Sequence, residues 1–313
     1  MDSDKPWALV LQGVHKQSAV DDLTVIVKKY FNVINIHQFK QNPLLYGPKV
    51  QALFVWSAVP VERYLLDSLP SLKVISNGGT GFELLDVQYI NSRNVKVTNT
   101  PGKLSSSTAD LAMGLLLASA RKIVESLRRA GDTEPSIMEE RFRGVEVTGA
   151  TLGIIGMGNI GYKVAQRSRG FEMKVLYHNR RQRSLEDEKS VGASYCERLD
   201  DLLRRSDFVI IAVKLTPSTT GLLSHRELSL MKPEVTLINI SRGQVLDQDA
   251  LISALQTGTI RAAALDVTHP EPLPSDHPLL HLPNVLITPH RLQYYDWNRK
   301  YAPDNGRQRP GCG

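Results

Sequence analysis

A glycine-rich turn at residues 151–161 constrains the fold of this chain most strongly. The segment reads TLGIIGMGNIG, in which an apolar run leads into Gly156, Gly158 and Gly161. A strand that enters such a turn and continues into a helix suits a dinucleotide pyrophosphate. The glycines allow the tight turn, the approach of backbone to phosphate and close packing of helix on strand. The N–H groups at the helix start then face the anion. The alternative is a glycine-rich turn without a ligand.

Short β-rich runs alternate with helical runs on both sides of this turn. This alternation predicts an α/β protein with two doubly wound domains, each built on a parallel sheet that helices cover. Pro101-Gly102 marks the boundary between them, and Ser105–Thr108 offers N-cap candidates for a long apolar helix over 108–129. The predicted strands are 7–12, 32–36, 52–56, 73–77, 95–100, 173–178, 207–215, 236–241, 262–267 and 284–288, and the other predicted helices are 20–31, 61–69, 162–170, 199–206 and 248–258.

Composition excludes several classes of function. The net charge is +6, but lysine and arginine are dispersed and aromatic residues make up only 6%, too few for a nucleic-acid stacking surface. The two cysteines, Cys196 and Cys312, form neither a disulfide framework nor a metal cluster, and they fit a reducing compartment. The longest apolar run, Leu111 to Ala120, is too short to span a bilayer. We therefore expect a cytoplasmic protein that binds no metal, nucleic acid or membrane.

The end of the second strand of the glycine-containing domain indicates which dinucleotide is bound. In NAD-binding folds an acidic residue about twenty positions after the glycines holds the ribose 2′-OH. Asn179 stands 18 residues after Gly161, and Arg180 and Arg181 follow it in place of an acid. Guanidinium groups pair with a 2′-phosphate, which a carboxylate would repel. The segment favours NADPH over NADH, although such a basic turn can also be merely solvated.

Three later segments follow predicted strands and carry polar side chains suited to hydride transfer. Arg242 lies in ISRG, Glu271 in DVTHPEP and His290 in TPH. Arginine can bind a substrate carboxylate and polarise a carbonyl, and histidine can donate the proton that the forming alkoxide requires. A carboxylate beside the histidine would orient the ring. Taken singly, each residue could also be a surface or packing residue.

A second glycine-rich loop, at residues 77–81, follows the predicted strand 73–77. Gly78, Gly79 and Gly81 place backbone N–H groups at the carboxyl end of a sheet, where α/β proteins bind ligands. These groups suit a carboxylate, although a plain turn is about as compatible with the segment.

From about residue 7 to His290 the chain resembles the D-isomer-specific 2-hydroxyacid dehydrogenases, nearest the glyoxylate/hydroxypyruvate reductases. The motifs that carry the resemblance are 151–161, ISRGQVLD at 240–247, LDVTHPEP at 265–272 and TPH at 288–290. The resemblance implies a Rossmann NAD(P)-binding domain, 103–287, inserted in a flavodoxin-like substrate domain formed by 1–102 and the segment 288–313. It also implies a homodimer through the long-helix region and a cleft that closes on substrate.

The resemblance also implies roles for individual residues. Arg242 would bind the substrate carboxylate and carbonyl, His290 would be the acid/base, and Glu271 would support it. Asp266 would hold the nicotinamide amide. The implied substrate-binding residues are Gly79, Thr80, Gly81 and Arg242, and the implied cofactor-binding residues are Gly156, Met157, Gly158, Asn159, Ile160, Gly161, Asn179, Arg180, Arg181, Thr216, Ile240 and Asp266.

The sequence departs from the family pattern after His290. The residues that follow, RLQYYDWNRKYAPDNGRQRPGCG, are polar, rich in Gly, Pro and Arg, and without helical periodicity. We expect an alternative or frameshifted, poorly ordered carboxyl end that leaves the first domain without a covering element. The leading hypothesis is an NADPH-dependent reductase of glyoxylate or hydroxypyruvate with His290 as proton donor. The alternatives are a variant that binds NADPH without turnover and a dinucleotide-sensing regulator on the same fold.

Overall fold

The computed structural model describes residues 4–12, 24–56, 59–79, 81–82, 84–128 and 143–290. The chain divides into two compact units, with the boundary between Lys103 and Leu104. Each unit contains one parallel β-sheet, as the alternation of strands and helices predicts. Within the described ranges no helix is both long enough and apolar enough to cross a bilayer.

The first unit contains a five-stranded sheet in the order β2-β1-β3-β4-β5. All its strand pairs are parallel, and this is the flavodoxin-like order. A cluster of buried aliphatic side chains, centred on Leu9, Leu53 and Ile75, packs on one face. Its strands are β1 (Trp7–Gln12), β2 (Asn32–Asn35), β3 (Val50–Trp56), β4 (Val74–Asn77) and β5 (Lys96–Thr98), and its helices are α1 (24–28), α2 (Ile36–Gln41), α3 (Pro43–Tyr46), α4 (Arg63–Asp67) and α5 (Val87–Ser92).

The second unit contains a seven-stranded parallel sheet in the order β12-β11-β10-β9-β6-β7-β8. Counted within the unit this is the Rossmann order 3-2-1-4-5-6 with one further strand at the edge. Its strands are β6 (Thr151–Ile155), β7 (Lys174–His178), β8 (Ala193–Tyr195), β9 (Phe208–Ile211), β10 (Thr236–Asn239), β11 (Ala262–Leu265) and β12 (Val285–Ile287), and its helices are α6 (Ser105–Ala120), α7 (Ile123–Arg128), α8 (Asn159–Ser168), α9 (Leu185–Val191), α10 (Leu199–Arg205), α11 (His225–Ser229) and α12 (Gln248–Gln256).

The central strands of this sheet are apolar on both faces because both faces are covered. Every residue of β9, β10 and β11 is buried. On one face Leu152 and Ile154 join the cluster that contains the apolar residues of α6 and α8. On the other face Ile155 joins the cluster that contains α10 and α12. This double burial explains why the strands are continuous apolar runs.

The long helix predicted over 108–129 is wrong in its bounds. Helix α6 begins at Ser105 and ends at Ala120, and α7 begins only at Ile123. The break falls at Lys122, whose φ of 52° lies outside the helical region. The predicted caps among Ser105–Thr108 lie inside the first turn instead, where the Ser107 and Thr108 hydroxyls donate to the carbonyl of Leu104.

Other predicted elements are present with shorter bounds. The strand predicted over 207–215, for example, ends at Ile211, and the helix predicted over 248–258 ends at Gln256. Residues 20–23 of the predicted helix 20–31 lie outside the described residues, and helix is observed over 24–28. Strand β8 and helices α2, α3, α5, α9 and α11 were not predicted, since they are short and α9 is mostly charged.

Candidate functional site

The carboxyl ends of the parallel strands of the second unit meet at one edge of the sheet, and this edge carries most of the predicted site residues. The glycine turn follows β6, Asn179 follows β7, and Arg242 follows β10. Asp266 follows β11 directly, and His290 comes three residues after β12. Open α/β sheets bind ligands at this edge.

The three glycines of the turn meet different surroundings. Gly156 has φ of +97°, and a Cβ there would lie 2.8 Å from the backbone nitrogen of Val213. A Cβ on Gly161 would lie 2.4 Å from the carbonyl oxygen of Gly156, so α8 could not pack as closely on β6. Gly158 is different, because a Cβ there would meet nothing within 4 Å. The fold of the unit requires the first and last glycine, whereas Gly158 keeps space open in front of the helix.

The loop after β7 is attached to the glycine turn by side chains. Asn179 accepts a hydrogen bond at Oδ1 from the Met157 backbone N–H over 2.7 Å. Arg183 donates from Nη1 to the Met157 carbonyl over 3.0 Å, and its guanidinium lies 4.9 Å from the centre of the Tyr162 ring. Arg180 and Arg181 are exposed. Asn179 and Arg183 thus hold the turn, while the two arginines between them face solvent.

A buried hydroxyl fixes the far side of the same loop. Tyr177, which is fully buried, donates to Glu188 Oε1 over 2.6 Å and accepts from the Arg183 backbone N–H over 2.9 Å. Burial, followed by the hydrogen bond to Glu188, raises the pKa of Tyr177 to about 12. The hydroxyl therefore stays protonated and keeps donating throughout the physiological pH range.

The turn after β10 is organised by Asn239, which is fully buried. Its Oδ1 accepts from the Ser241 backbone N–H and hydroxyl, and its Nδ2 donates to the Arg242 carbonyl over 3.0 Å. Arg242 is half-buried and donates from Nη1 to the Ser241 carbonyl over 2.7 Å. These bonds fix the backbone from which the Arg242 guanidinium projects.

Glu271 and His290 form a carboxylate–imidazole pair. His290 Nδ1 lies 2.9 Å from Glu271 Oε2, and the other carboxylate oxygen accepts from the Thr268 backbone N–H over 3.0 Å. Burial raises the pKa of the Glu271 carboxyl, but the bond and charge of His290, the Thr268 N–H and the charge of Arg242 outweigh it and leave that pKa below its usual value. An ionised carboxylate that accepts the Nδ1 proton orients the ring of His290, as acid/base chemistry at an imidazole requires.

Asp266 lies beside this pair and is almost fully buried, with 1% of its surface exposed. Its Oδ1 accepts from the Thr288 hydroxyl over 2.8 Å, and its Oδ2 has no hydrogen-bond partner among the described residues. Burial raises the pKa of Asp266 to about 6, against the opposing effects of Thr288 and His290. A buried carboxylate oxygen without a partner is costly unless a ligand supplies a donor.

Thr216 and the first glycine loop complete the predicted set. Thr216 lies in a turn after β9, where its backbone N–H donates to the Thr219 hydroxyl over 2.8 Å. In the first unit Asn77 donates from Nδ2 to the carbonyl of Gly81 over 2.6 Å and lies 3.4 Å from that of Gly79. Thr80 lies outside the described residues.

Known proteins resemble this chain along most of its length. Residues 113–291 match the family described as D-isomer specific 2-hydroxyacid dehydrogenase, NAD binding domain. The glyoxylate/hydroxypyruvate reductase B of Pectobacterium atrosepticum is 40% identical over 279 residues, which cover 88% of this chain and 85% of that protein. The chain belongs to the D-isomer specific 2-hydroxyacid dehydrogenase family.

Two further comparisons agree with this membership. The glyoxylate reductase of Thermococcus litoralis is 42% identical over 247 residues, covering 77% of this chain and 74% of that protein. The crystal structure of a 2-hydroxyacid dehydrogenase from Ketogulonicigenium vulgare superimposes with a TM-score of 0.83 at 29% identity, covering 95% of this chain and 91% of that chain. The predicted family, near the glyoxylate reductase branch, and the predicted fold of two parallel-sheet α/β domains are both confirmed.

A 2-hydroxyacid dehydrogenase of this family uses a nicotinamide dinucleotide, and the residues present fit one. Gly158 leaves open space at the start of α8, where helix N–H groups without intrahelical acceptors favour a phosphate. Asp266 Oδ2 offers a buried acceptor without a partner among the described residues. Such an acceptor suits the NH₂ group of a carboxamide. No cluster of metal-ligating side chains occurs within the described ranges.

Within the second unit the structure brings several predicted residues of this dehydrogenase together. Asp266, Glu271 and His290 form one polar group, and the charge of Arg242 acts on Glu271. Asn179 contacts the backbone of Met157. Met157 and Ile240 themselves are buried in the core. The Gly79 loop belongs to the first unit.

Sequence reasoning missed several side chains that fix these segments. Thr288 stands inside a motif and Asn239 directly before one, but neither was assigned a role, and Arg183 and Gln248 stood outside the predicted set. Amide and hydroxyl side chains that bond to backbone carry no periodicity or spacing signal. Only the position of Asn239, a polar residue ending a fully buried strand, could have drawn attention to it. The carboxyl end, 291–313, lies outside the described residues, so the expectation that it is poorly ordered and leaves the first domain without a covering element stays a prediction.

Proposed function

We propose that this dehydrogenase is an NADPH-dependent reductase of short 2-oxo acids, such as glyoxylate and hydroxypyruvate, and that it yields D-2-hydroxy acids. The observation that carries the proposal is the 2.9 Å contact between His290 Nδ1 and Glu271 Oε2 at the sheet edge that holds the glycine turn. A carboxylate-oriented imidazole is suited to proton transfer near neutral pH. The curated relatives named glyoxylate reductase support this choice of substrate.

Arg242, His290 and Glu271 have separate tasks in the proposed reaction. Arg242 binds the carboxylate of the oxo acid and polarises its carbonyl with the fork of guanidinium donors. His290, protonated on both nitrogens, donates the Nε2 proton to the carbonyl oxygen as the alkoxide forms. Glu271 keeps the ring oriented through Nδ1 and stabilises its positive charge. When bound, the reduced nicotinamide supplies the hydride that reaches the carbonyl carbon.

We propose NADPH rather than NADH because of the loop after β7. Arg180 and Arg181 are exposed beside the glycine turn, to which Asn179 ties the loop through Met157. The double replacement Arg180→Ala/Arg181→Ala removes both candidate partners of the 2′-phosphate. It should weaken NADPH binding at least about tenfold, or 1.4 kcal/mol, and leave NADH binding nearly unchanged. Equal losses for the two cofactors would contradict this assignment.

Arg204→Ala provides a matched control for that experiment. Arg204 is an exposed arginine of the same unit, in the last turn of α10, which leads into the amino end of β9. It therefore stands at the opposite edge of the sheet from the glycine turn. Its replacement should change neither cofactor affinity.

We also propose the remaining predicted features. The Gly79–Thr80–Gly81 loop serves as a backbone carboxylate-binding segment. The replacement Gly79→Ala tests this role through the KM for glyoxylate.

A homodimer forms through α6 and α7, where Ile123 and Leu127 are 45% and 69% exposed. Leu127→Glu should then lower the mass measured by light scattering. The free buried thiol of Cys196 supports a cytoplasmic location.

One titration separates the reductase from the alternatives. NADPH fluorescence is followed as the protein is added, and glyoxylate is added afterwards. A reductase enhances or shifts the fluorescence on binding, and the signal then decays as NADPH is oxidised. Binding without decay would contradict turnover and support a chain that only binds or senses the dinucleotide.

A further inference from the structure

We infer that Gln248 is a positioning residue for the Glu271–His290 pair. This inference rests on the proposed function, since it concerns how that pair is held. Gln248 is the first residue of α12 and contacts neither Glu271 nor His290 in the hydrogen bonds described above. Its side chain instead forms hydrogen bonds with the backbone of the segment that carries Glu271.

The contact between Gln248 and His269 is reciprocal. The His269 backbone N–H donates to Gln248 Oε1 over 2.8 Å, and Gln248 Nε2 donates to the His269 carbonyl. The primary amide of Gln248 thereby forms hydrogen bonds with both the backbone N–H and the carbonyl of His269, as a residue of a neighbouring strand would. Both groups of His269 are thus satisfied, and the peptide plane on each side of it is fixed.

The bonded segment determines where the Glu271 carboxylate stands. Thr268, the neighbour of His269, donates its N–H to Glu271 Oε1, while Glu271 Oε2 faces His290 Nδ1. The Thr268 hydroxyl donates to the Pro270 carbonyl over 2.9 Å. A shift of the Thr268–His269 backbone would therefore be passed on to the carboxylate and to the orientation of the His290 ring.

The backbone of Gly243 packs against the segment, and the helix start that carries Gln248 is capped. A Cβ on Gly243 would lie 2.1 Å from the Thr268 carbonyl carbon, so the backbone next to Arg242 packs directly against the segment. Asp247 caps α12 by accepting from the Ala250 N–H over 3.1 Å and also accepts from the Ser224 hydroxyl. Gln248 accordingly acts from a fixed helix start and holds the segment in place beside the Arg242 turn.

Two substitutions separate positioning from helix stability. Gln248→Leu keeps helix propensity and side-chain size but removes both bonds. Gln248→Glu keeps the acceptor for the His269 N–H and places a carboxylate against the His269 carbonyl. An acidic residue in the first helical turn interacts favourably with the helix dipole, which offsets part of the lost bond, so this variant should melt close to the parent temperature. Gln256→Leu, at the exposed end of the same helix, is the matched control.

We expect both Gln248 variants to lower kcat for hydroxypyruvate at least about tenfold, since small misplacements of a reacting group cost rate steeply. KM for NADPH should stay within about twofold, and Gln256→Leu should match the parent in every constant. A Gln248→Glu variant that is as stable and as active as the parent would overturn the inference.

Amide hydrogen exchange tests the inference without turnover. In the parent chain the N–H groups of Thr268 and His269 should exchange slowly, and Gln248→Leu should speed both by about tenfold or more. Unchanged exchange at both amides would overturn the inference. Absence of turnover in the parent chain would contradict the proposed function instead, and exchange would then decide the role of Gln248 by itself.

Discussion

Two segments at the same sheet edge, the glycine turn after β6 and the acid/base segment 266–271 after β11, are held in place by different means. The turn is shaped by missing side chains, since a Cβ at Gly156 or Gly161 would collide with backbone. The acid/base segment is shaped by side chains that bond to backbone, among them Glu271 to Thr268 and Gln248 to His269. The turn depends mainly on steric room, with further support from Asn179 and Arg183, and the acid/base segment depends mainly on polar partners.

This difference has a thermodynamic consequence. A steric constraint is independent of pH, whereas a polar segment that contains the buried Asp266 carboxyl responds to it. The turn should therefore keep its structure when the pH changes and lose stability when a side chain is added to one of its glycines. The acid/base segment should tolerate small changes in side-chain size and lose its geometry when a charged group or a hydrogen-bond donor is removed. The following predictions test this contrast, beginning with the largest effect.

The replacement His290→Ala should have the largest effect. It removes the proposed proton donor but leaves the glycine turn intact, so kcat should fall about a thousandfold. NADPH affinity, measured by fluorescence, should stay within about twofold of the parent. His281→Ala, an exposed histidine of the same unit, should retain full turnover. Turnover by His290→Ala at a tenth of the parent rate would contradict the acid/base role.

The pH dependence of stability should be governed in part by Asp266. Its pKa in the folded chain, about 6, lies above the ordinary value of 3.8. The folded chain thus binds this proton more tightly than the unfolded chain does. The resulting stability is full below about pH 4 and is lost as the pH rises through about 6.

Asp266→Asn is always neutral and should not lose this stability. Without cofactor, its free energy of unfolding in urea should exceed that of the parent by about 3 kcal/mol near pH 7.5 and match it near pH 4. Asp276→Asn, an exposed aspartate of the same unit, should follow the parent at both pH values. A constant difference between Asp266→Asn and the parent across this range would contradict the buried-carboxyl argument.

Alanine substitutions should separate the glycines of the turn. Gly161→Ala forces a Cβ against the Gly156 carbonyl and should lower the free energy of unfolding by about 1–3 kcal/mol. Gly158→Ala meets open space, so it should leave stability unchanged and weaken NADPH binding about tenfold, or 1.4 kcal/mol. Gly170→Ala also meets open space, away from the turn, and should change neither quantity. Stability loss in Gly158→Ala with cofactor binding intact would reverse our reading of the turn.

The smallest effect should come from Arg183→Lys. A lysine keeps the charge near Asp187 but loses the fork that reaches the Met157 carbonyl and lies over Tyr162. The free energy of unfolding should fall by about 1 kcal/mol, independently of pH between about 6 and 8. Arg204→Lys is the matched control. A loss confined to acidic pH would show that the turn depends on charge after all.

The contrast also explains what could be predicted from sequence. Glycine spacing and buried apolar runs can be recognised directly in the amino-acid sequence. The turn, the parallel sheets and the family were therefore predictable. Arg242, Glu271 and His290 were selected because each follows a strand. The bonds of Asn239, Thr288 and Gln248 were not predictable, because a side chain bonded to backbone can stand anywhere in the chain. The break at Lys122 was missed because no proline or glycine marks it.

The most direct test of the central claim follows the hydride itself. The chain is incubated with hydroxypyruvate and NADPH that carries deuterium at the transferable position of the nicotinamide. The proposed function predicts D-glycerate with that deuterium on C2, detected by mass spectrometry and chiral chromatography. Bound NADPH with no labelled glycerate, or glycerate of the L configuration, would contradict it.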